Sequence, residues 1–169
     1  MNCGMIYGTD HFLSVCAPPG WVLDNESLVR SGIYAVFYRK EFSYQEAMAR
    51  HTLMYVNIVL KDKGQNTAKE MMELDLAETK RKSPNLVVEK TKPILIPVKT
   101  GNEISAPVQT FFNDYQGSYE SVAYIENDKT ITLLVLSSIS EQLWREDYPS
   151  FGKLVQSYAF LGSNVHVEK

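Results

Sequence analysis

ESVAYIENDKTITLLVLSS, residues Glu120–Ser138, is the stretch that decides the fold. Two runs rich in β-branched and apolar residues flank Asn127-Asp128, a pair that tolerates positive φ in a tight turn. A two-residue loop there pairs Glu126 with Lys129, Tyr124 with Ile131 and Val122 with Leu133. The second run, from Ile131 to Leu136, does not alternate. A strand that is apolar on both faces needs cover on both faces, so it belongs in the middle of a sheet. The turn signal and the β-branched content count against a buried helix.

Working outward, Val108–Phe112 leads through Asn113–Gly117 into this hairpin. Leu86–Glu89 and Ile94–Lys99 read as strand pieces. Pro93, Pro97 and Pro107 confine that region to a sheet edge or to bulges, because proline donates no ladder hydrogen bond. Thr67-Ala68-Lys69-Glu70 is a capping box that opens a helix through Lys82, with acidic early turns and a basic end. Ala68, Met71, Met72 and Leu76 share one face of it, with Leu74 beside them. Ile33–Lys40 and His51–Lys61 read as strands. Between them Glu41–Arg50 reads as a loop, with a capping box at Ser43–Glu46 for one helical turn. Asp24 or Asn25 caps a short turn through Val29, stopped by Gly32. Beyond the hairpin, Ser138-Ile139-Ser140-Glu141 is a third capping box. Trp144, Tyr148, Phe151, Val155 and Tyr158 follow at helical spacing, and Pro149 is expected to kink or divide that helix. Tyr158–Leu161 reads as a last short strand.

These elements predict an α+β protein, an antiparallel twisted sheet with the Thr67–Lys82 and Glu141–Ser157 helices packed on it. A chain of 169 residues, 44% hydrophobic and 22% charged, fits one domain, spanning 1–162, with 163–169 as a tail. The net charge of −3 comes without a dense basic run, which argues against a nucleic-acid surface. No apolar stretch reaches the ~18–20 residues of a membrane span. Met1-Asn2-Cys3-Gly4 has neither the charged nor the apolar region of an export signal. The chain therefore reads either as an intracellular protein or as a mature region whose leader has been removed.

The two cysteines bear on that choice. Met5–Tyr7 and Phe12–Ser14 form a hairpin around Gly8–His11, which sets Tyr7 opposite Phe12 and Met5 opposite Ser14. Cys3 then faces Cys16 at a Cα separation of roughly 4.5–5.5 Å, which a disulfide accepts. The alternative is two independent thiols. A disulfide implies an oxidising compartment. Trp21, after Pro18-Pro19-Gly20, is expected to seat its turn on the core.

No catalytic constellation emerges. Three histidines, at 11, 51 and 166, lack paired-ligand spacing, and two cysteines make no zinc site. His11, in a turn, and His166, in the tail, are expected to be solvated. There is no nucleophile elbow, phosphate loop or dinucleotide fingerprint. Glu120 and Glu126 share a strand face but lie ~20 Å apart, too far for paired acid–base work. No metal or organic cofactor is expected. Ten tyrosines are conspicuous, and tyrosine suits both half-buried sheet faces and recognition surfaces. If a partner surface exists, Tyr115, Tyr119 and Tyr124 are its candidates. Tyr119 and Tyr124 are five apart and so face opposite sides.

Phe12–Trp21, FLSVCAPPGW, and Phe151–Phe160, FGKLVQSYAF, together with the element order, resemble the PsbP-like fold. Val22–Asn25, Ala35–Tyr38 and Met54–Val56 are similar to segments of uncharacterised exported bacterial proteins of that type. The fold occurs in a photosystem II extrinsic protein, a Ran-binding nuclear-import factor and DcrB-like envelope proteins. The resemblance implies an α/β/α sandwich and a binding or accessory module for a protein partner, not an enzyme. It also implies a periplasmic or secreted location. An intracellular DcrB-like chaperone or adaptor for secreted effectors is the alternative, and an unrecognised hydrolase is the third. No ligand residues carry over.

Overall fold

The computed structural model describes residues 2–50, 52–61, 66–98, 101–114 and 116–163. Tyr115, His51 and His166 lie outside them, as does the tail beyond Ser163. The described strands form two antiparallel sheets. β1 (Cys3–Gly8), β2 (His11–Cys16) and β10 (Ala159–Gly162) make a three-stranded sheet in the order β1-β2-β10. The larger sheet comprises β3 (Trp21–Asp24), β4 (Ala35–Arg39), β5 (Leu53–Leu60), β6 (Val87–Pro97), β7 (Glu103–Phe112), β8 (Tyr119–Glu126) and β9 (Thr130–Ser138). Its order is β3-β4-β5-β9-β8-β7-β6, so the run that is apolar on both faces is the central strand. Every residue from Thr130 to Leu136 is buried.

Helices cover both faces. α3 (Glu141–Gln156) buries Trp144, Phe151, Leu154 and Val155 against one face, where the three-stranded sheet adds Leu13 and Val15. α2 (Ala68–Lys82) covers part of the other face, with Met71 against Val122, Tyr124, Ile131 and Leu133. Its capping box is reciprocal: Glu70 N–H donates to Thr67 Oγ1 at 3.1 Å and Thr67 N–H donates to Glu70 at 3.0 Å. A short α1 (Tyr44–Arg50) extends the single helical turn expected in this loop, capped as expected by Ser43 and Glu46. Asp24 accepts from the N–H groups of Glu26 and Ser27, ahead of a 3-10 turn at Val29–Ser31.

Several expectations need correction. The central hairpin turns at Asp128-Lys129, one residue later than the sequence suggested. Glu126 therefore faces Ile131, Tyr124 faces Leu133 and Val122 faces Val135. A shift of two residues keeps every side chain on its face. Asn127 is instead the last paired residue, its N–H donating to Thr130 O at 2.9 Å. Its side-chain amide donates to Thr132 Oγ1 at 3.1 Å and accepts from the Tyr158 hydroxyl at 2.6 Å. These contacts hold Asn127 in the ladder. Ser140, not Ser138, caps α3, accepting from Leu143 N–H at 3.2 Å. α3 runs unbroken through Pro149, which sits on its exposed side. Within it, buried Asp147 pairs with Arg39 of β4 at 2.5 Å. The two strand pieces expected at Leu86–Glu89 and Ile94–Lys99 form one long edge strand, β6, whose register slips between Thr91 and Ile94. That slip accommodates Pro93 and leaves Pro107 of β7 without a register partner.

The N-terminal hairpin has the expected register, with Tyr7 opposite Phe12, Met5 opposite Ser14 and Cys3 opposite Cys16. Cys3 and Cys16 form a disulfide with Cα atoms 3.8 Å apart, closer than expected. Trp21 is buried, with the Arg39 guanidinium 5.8 Å above its ring. No helix among the described residues is long and apolar enough to cross a membrane.

Candidate functional site

α2 leaves part of its sheet face uncovered, and a cleft of about 370 Å³ opens there. One row of cross-strand neighbours forms its floor: Leu53 on β5 faces Ser137 on β9, Ser137 faces Glu120 on β8, and Glu120 faces Phe111 on β7. Leu28, Ile33 and Met48 wall it from the 3-10 and α1 segments, and Val36 from β4. Tyr55, Thr79, Asp114 and Gln116 add polar groups around the rim. Asp114 is fixed by its own turn, its carboxylate accepting from the N–H groups of Gln116 and Ser118 at 2.8 Å each.

Glu120 is the unusual residue. A carboxyl on an inward face of a central strand loses most of its water. That desolvation, with the nearby charges of Asp114 and Asp75, pushes Glu120 up to about 7. Hydrogen bonds from Ser137 and Tyr55 oppose the shift. Asp75 on α2 is raised as well, first by burial. The other carboxylate on this strand face has a different job. Glu126 accepts from Ala68 N–H at 3.0 Å and from Lys61 Nζ at 3.0 Å, anchoring the first turn of α2, and these bonds lower its pKa. The separation of the two glutamates thus reflects two unrelated roles.

Of the tyrosines singled out in the sequence, neither Tyr119 nor Tyr124 lines the cleft. Tyr124 is 0% exposed, packed beneath α2 with its hydroxyl donating to Asp75 at 2.7 Å. It is a core residue and offers nothing to a partner, because a central strand under a helix has no free face there. Tyr119 points to the opposite face, half-buried against Phe112 with ring centroids 5.6 Å apart. Tyr115 lies outside the described residues. Among the described residues, the tyrosine that lines the cleft is Tyr55. The signal that would have found the site is Glu120 itself. It shares a strand face with Val122 and Tyr124, opposite the mainly apolar row Ile131, Leu133 and Val135 of β9.

His11 also departs from expectation. It is 3% exposed, its ring edge-on to Tyr34 at 5.0 Å, and neither ring nitrogen has a hydrogen-bond partner. The turn is Thr9-Asp10, so His11 opens β2 on its core-facing side. Among the described residues, no group of three or more His, Cys, Asp or Glu side chains is placed to hold a metal. A larger groove of about 860 Å³ runs between Cys16–Trp21 and the end of α3. Its walls are mostly apolar, with Asn2, Lys153, Gln156 and Ser157 as the polar residues among the described lining.

No protein-family model matches the sequence, and no curated protein is similar to it in sequence. Solved structures are similar in fold. The solution structure of cyanobacterial PsbP (CyanoP) from Synechocystis superposes with a TM-score of 0.53 at 14% identity, over 95% of this chain and 93% of that one. The Saccharomyces cerevisiae Ran-binding protein Mog1p superposes at 0.52 with 12% identity, over 94% and 95%. The chain therefore has a PsbP-like fold.

Proposed function

We propose that the chain is a non-enzymatic binding module of a periplasmic or extracellular space, and that it receives a protein partner at the Glu120 cleft. The observation carrying this reading is the cleft itself. Apolar walls and convergent polar groups meet there on a floor of four hydrogen-bonded strands, a rigid and preorganised surface. The disulfide supports a non-reducing compartment and weighs against an intracellular adaptor. Within the same fold Mog1p is Ran-binding, which supports a recognition role in kind and carries no partner over.

The test uses a photo-crosslinking residue at Met48, on the rim and 46% exposed, with Arg145 on the far side of the molecule as control. In the native host, a specific adduct is expected at Met48 and not at Arg145. Thr79→Trp, which fills the cleft from α2, should abolish it without unfolding the protein. Equal adducts at both positions would remove the cleft from the interface. Turnover of a substrate that is lost in Glu120→Gln would replace the binding reading by an enzymatic one.

A further inference from the structure

We infer that the cleft receives an arginine side chain of the partner, with Glu120 as counter-ion and Tyr55 and Phe111 among the lining residues. The inference rests on the cleft being the binding site proposed above. Its volume of about 370 Å³ is at the small end of ligand cavities, which suits one long side chain better than an extended ligand. Among the described lining residues, the carboxylates Glu120 and Asp114 are the charged ones, and no lysine or arginine joins them. Leu28, Ile33 and Met48 present apolar surface above that acidic floor. The complementary shape is an aliphatic stem ending in a cation.

Glu120 has capacity left for such a cation. A carboxylate offers about four lone-pair sites. The hydroxyls of Ser137 and Tyr55 take part of that capacity and orient the group. A guanidinium presents a planar fork to a carboxylate and stacks on aromatic faces, which an ammonium does not. Glu120 is half-buried there, and a partly shielded charge pair interacts more strongly than one on the open surface.

The pairing is linked to protons. Glu120 faces Asp114 from the β7–β8 loop, Asp75 from α2, Tyr55 from β5 and Ser137 from β9. Desolvation and the charges of these acids favour the protonated form of Glu120 up to about 7. An arriving guanidinium stabilises the anion and releases that proton. Affinity therefore rises as the pH rises through about 7.

The experiment titrates isotope-labelled protein with acetyl-Gly-Arg-Gly-amide, its citrulline counterpart and its lysine counterpart, followed by NMR chemical shifts. The arginine peptide is expected to bind in roughly the millimolar range, with shifts centred on Tyr55, Glu120 and Ser137. Neutral citrulline should bind at least about tenfold more weakly. Glu120→Gln should lose about tenfold for arginine, leave citrulline unchanged and flatten the pH dependence. Equal binding of arginine and citrulline, or an unaffected Glu120→Gln variant, overturns the charge pairing while leaving the cleft a binding site. Lysine equal to arginine overturns the guanidinium assignment. No binding of arginine at the cleft overturns the inference, and crosslinking at Met48 then decides separately whether a partner docks there.

Discussion

The hydroxyl of Tyr124, on the strand beside the centre of the sheet, donates to the carboxylate of Asp75 on α2 at 2.7 Å. Both groups are desolvated, and each pKa is raised, Asp75 first by burial and Tyr124 likewise. The bond is a polar pin beside the apolar contacts of Met71, Leu133 and Val122, with the Ala68–Glu126 bond at the start of the helix as a second. Tyr124→Phe leaves the ring in place and strands the carboxylate. The expected cost is about 1.5–3 kcal/mol at pH 8, as for a hydrogen bond to a charged group. The cost should shrink at acid pH, where Asp75 is protonated and no longer demands a donor. Urea unfolding at the two pH values measures both. An equal loss at each would show that the hydroxyl, and not the carboxylate it serves, sets the energy.

The disulfide closes the hairpin from Cys3 to Cys16 at the start of the three-stranded sheet. Constraining a loop of this length in the unfolded chain stabilises by about 3 kcal/mol. A Cys3→Ser, Cys16→Ser variant is therefore expected to melt about 6–12 °C lower. The seven-stranded sheet should persist, because its ladder involves neither cysteine. Hydrogen exchange would check this, with protection lost in β1 and kept in β9. Thiol titration of the untreated, denatured protein should find no free thiol.

Patterns that depend on one element were legible in the sequence. The Ile131–Leu136 run marked the sheet's centre, Thr67 and Glu70 marked the start of α2, and facing positions placed Cys3 against Cys16. What escaped detection depends on several elements meeting. Asn127 reads as a turn former, yet Tyr158, from beyond α3, holds it in the ladder. Glu120 reads as the polar residue of a half-exposed strand. Its partial burial follows from α2 covering the neighbouring rows and from α1 and the 3-10 segment walling the remainder. Asp147 reads as a solvated helix residue, and only the approach of Arg39 makes it a buried ion pair. Likewise, no local signal says that His11 faces the core, since the hairpin turn could take its imidazole either way.

His11 makes a prediction of its own. Burial lowers its pKa, partly opposed by the charge of Asp10. The folded state thus holds a neutral imidazole where the unfolded chain accepts a proton below about 6.5. The sign follows directly. Its contribution is fully present above about 6.5 and is lost as the pH falls towards the lower folded value. His11→Phe keeps an aromatic ring against Tyr34 and Gly8 and removes the proton site. The variant should unfold in acid later than the wild type, with little difference at pH 8. Identical acid profiles would mean that other groups dominate the acid transition.

Glu120 should shape stability in the opposite direction, independent of any ligand. Its folded pKa, about 7, lies above the unfolded value of 4.5. Between those values the unfolded chain releases a proton that the folded protein keeps, so stability declines as the pH rises. The full shift corresponds to at most about 3 kcal/mol, and access of water through the cleft reduces it. Glu120→Gln retains an acceptor for Ser137 and Tyr55 without the charge. Relative to wild type, the variant is expected to gain stability steadily from pH 4.5 to pH 8. Taking the difference between the two proteins cancels the acid effect of His11, which is on the separate three-stranded sheet. Denaturant unfolding at four or five pH values gives the curve. If the wild type instead gained on the variant with rising pH, the carboxylate would be stabilised as an anion in the free protein. The cleft would then already contain the positive partner that its described walls lack.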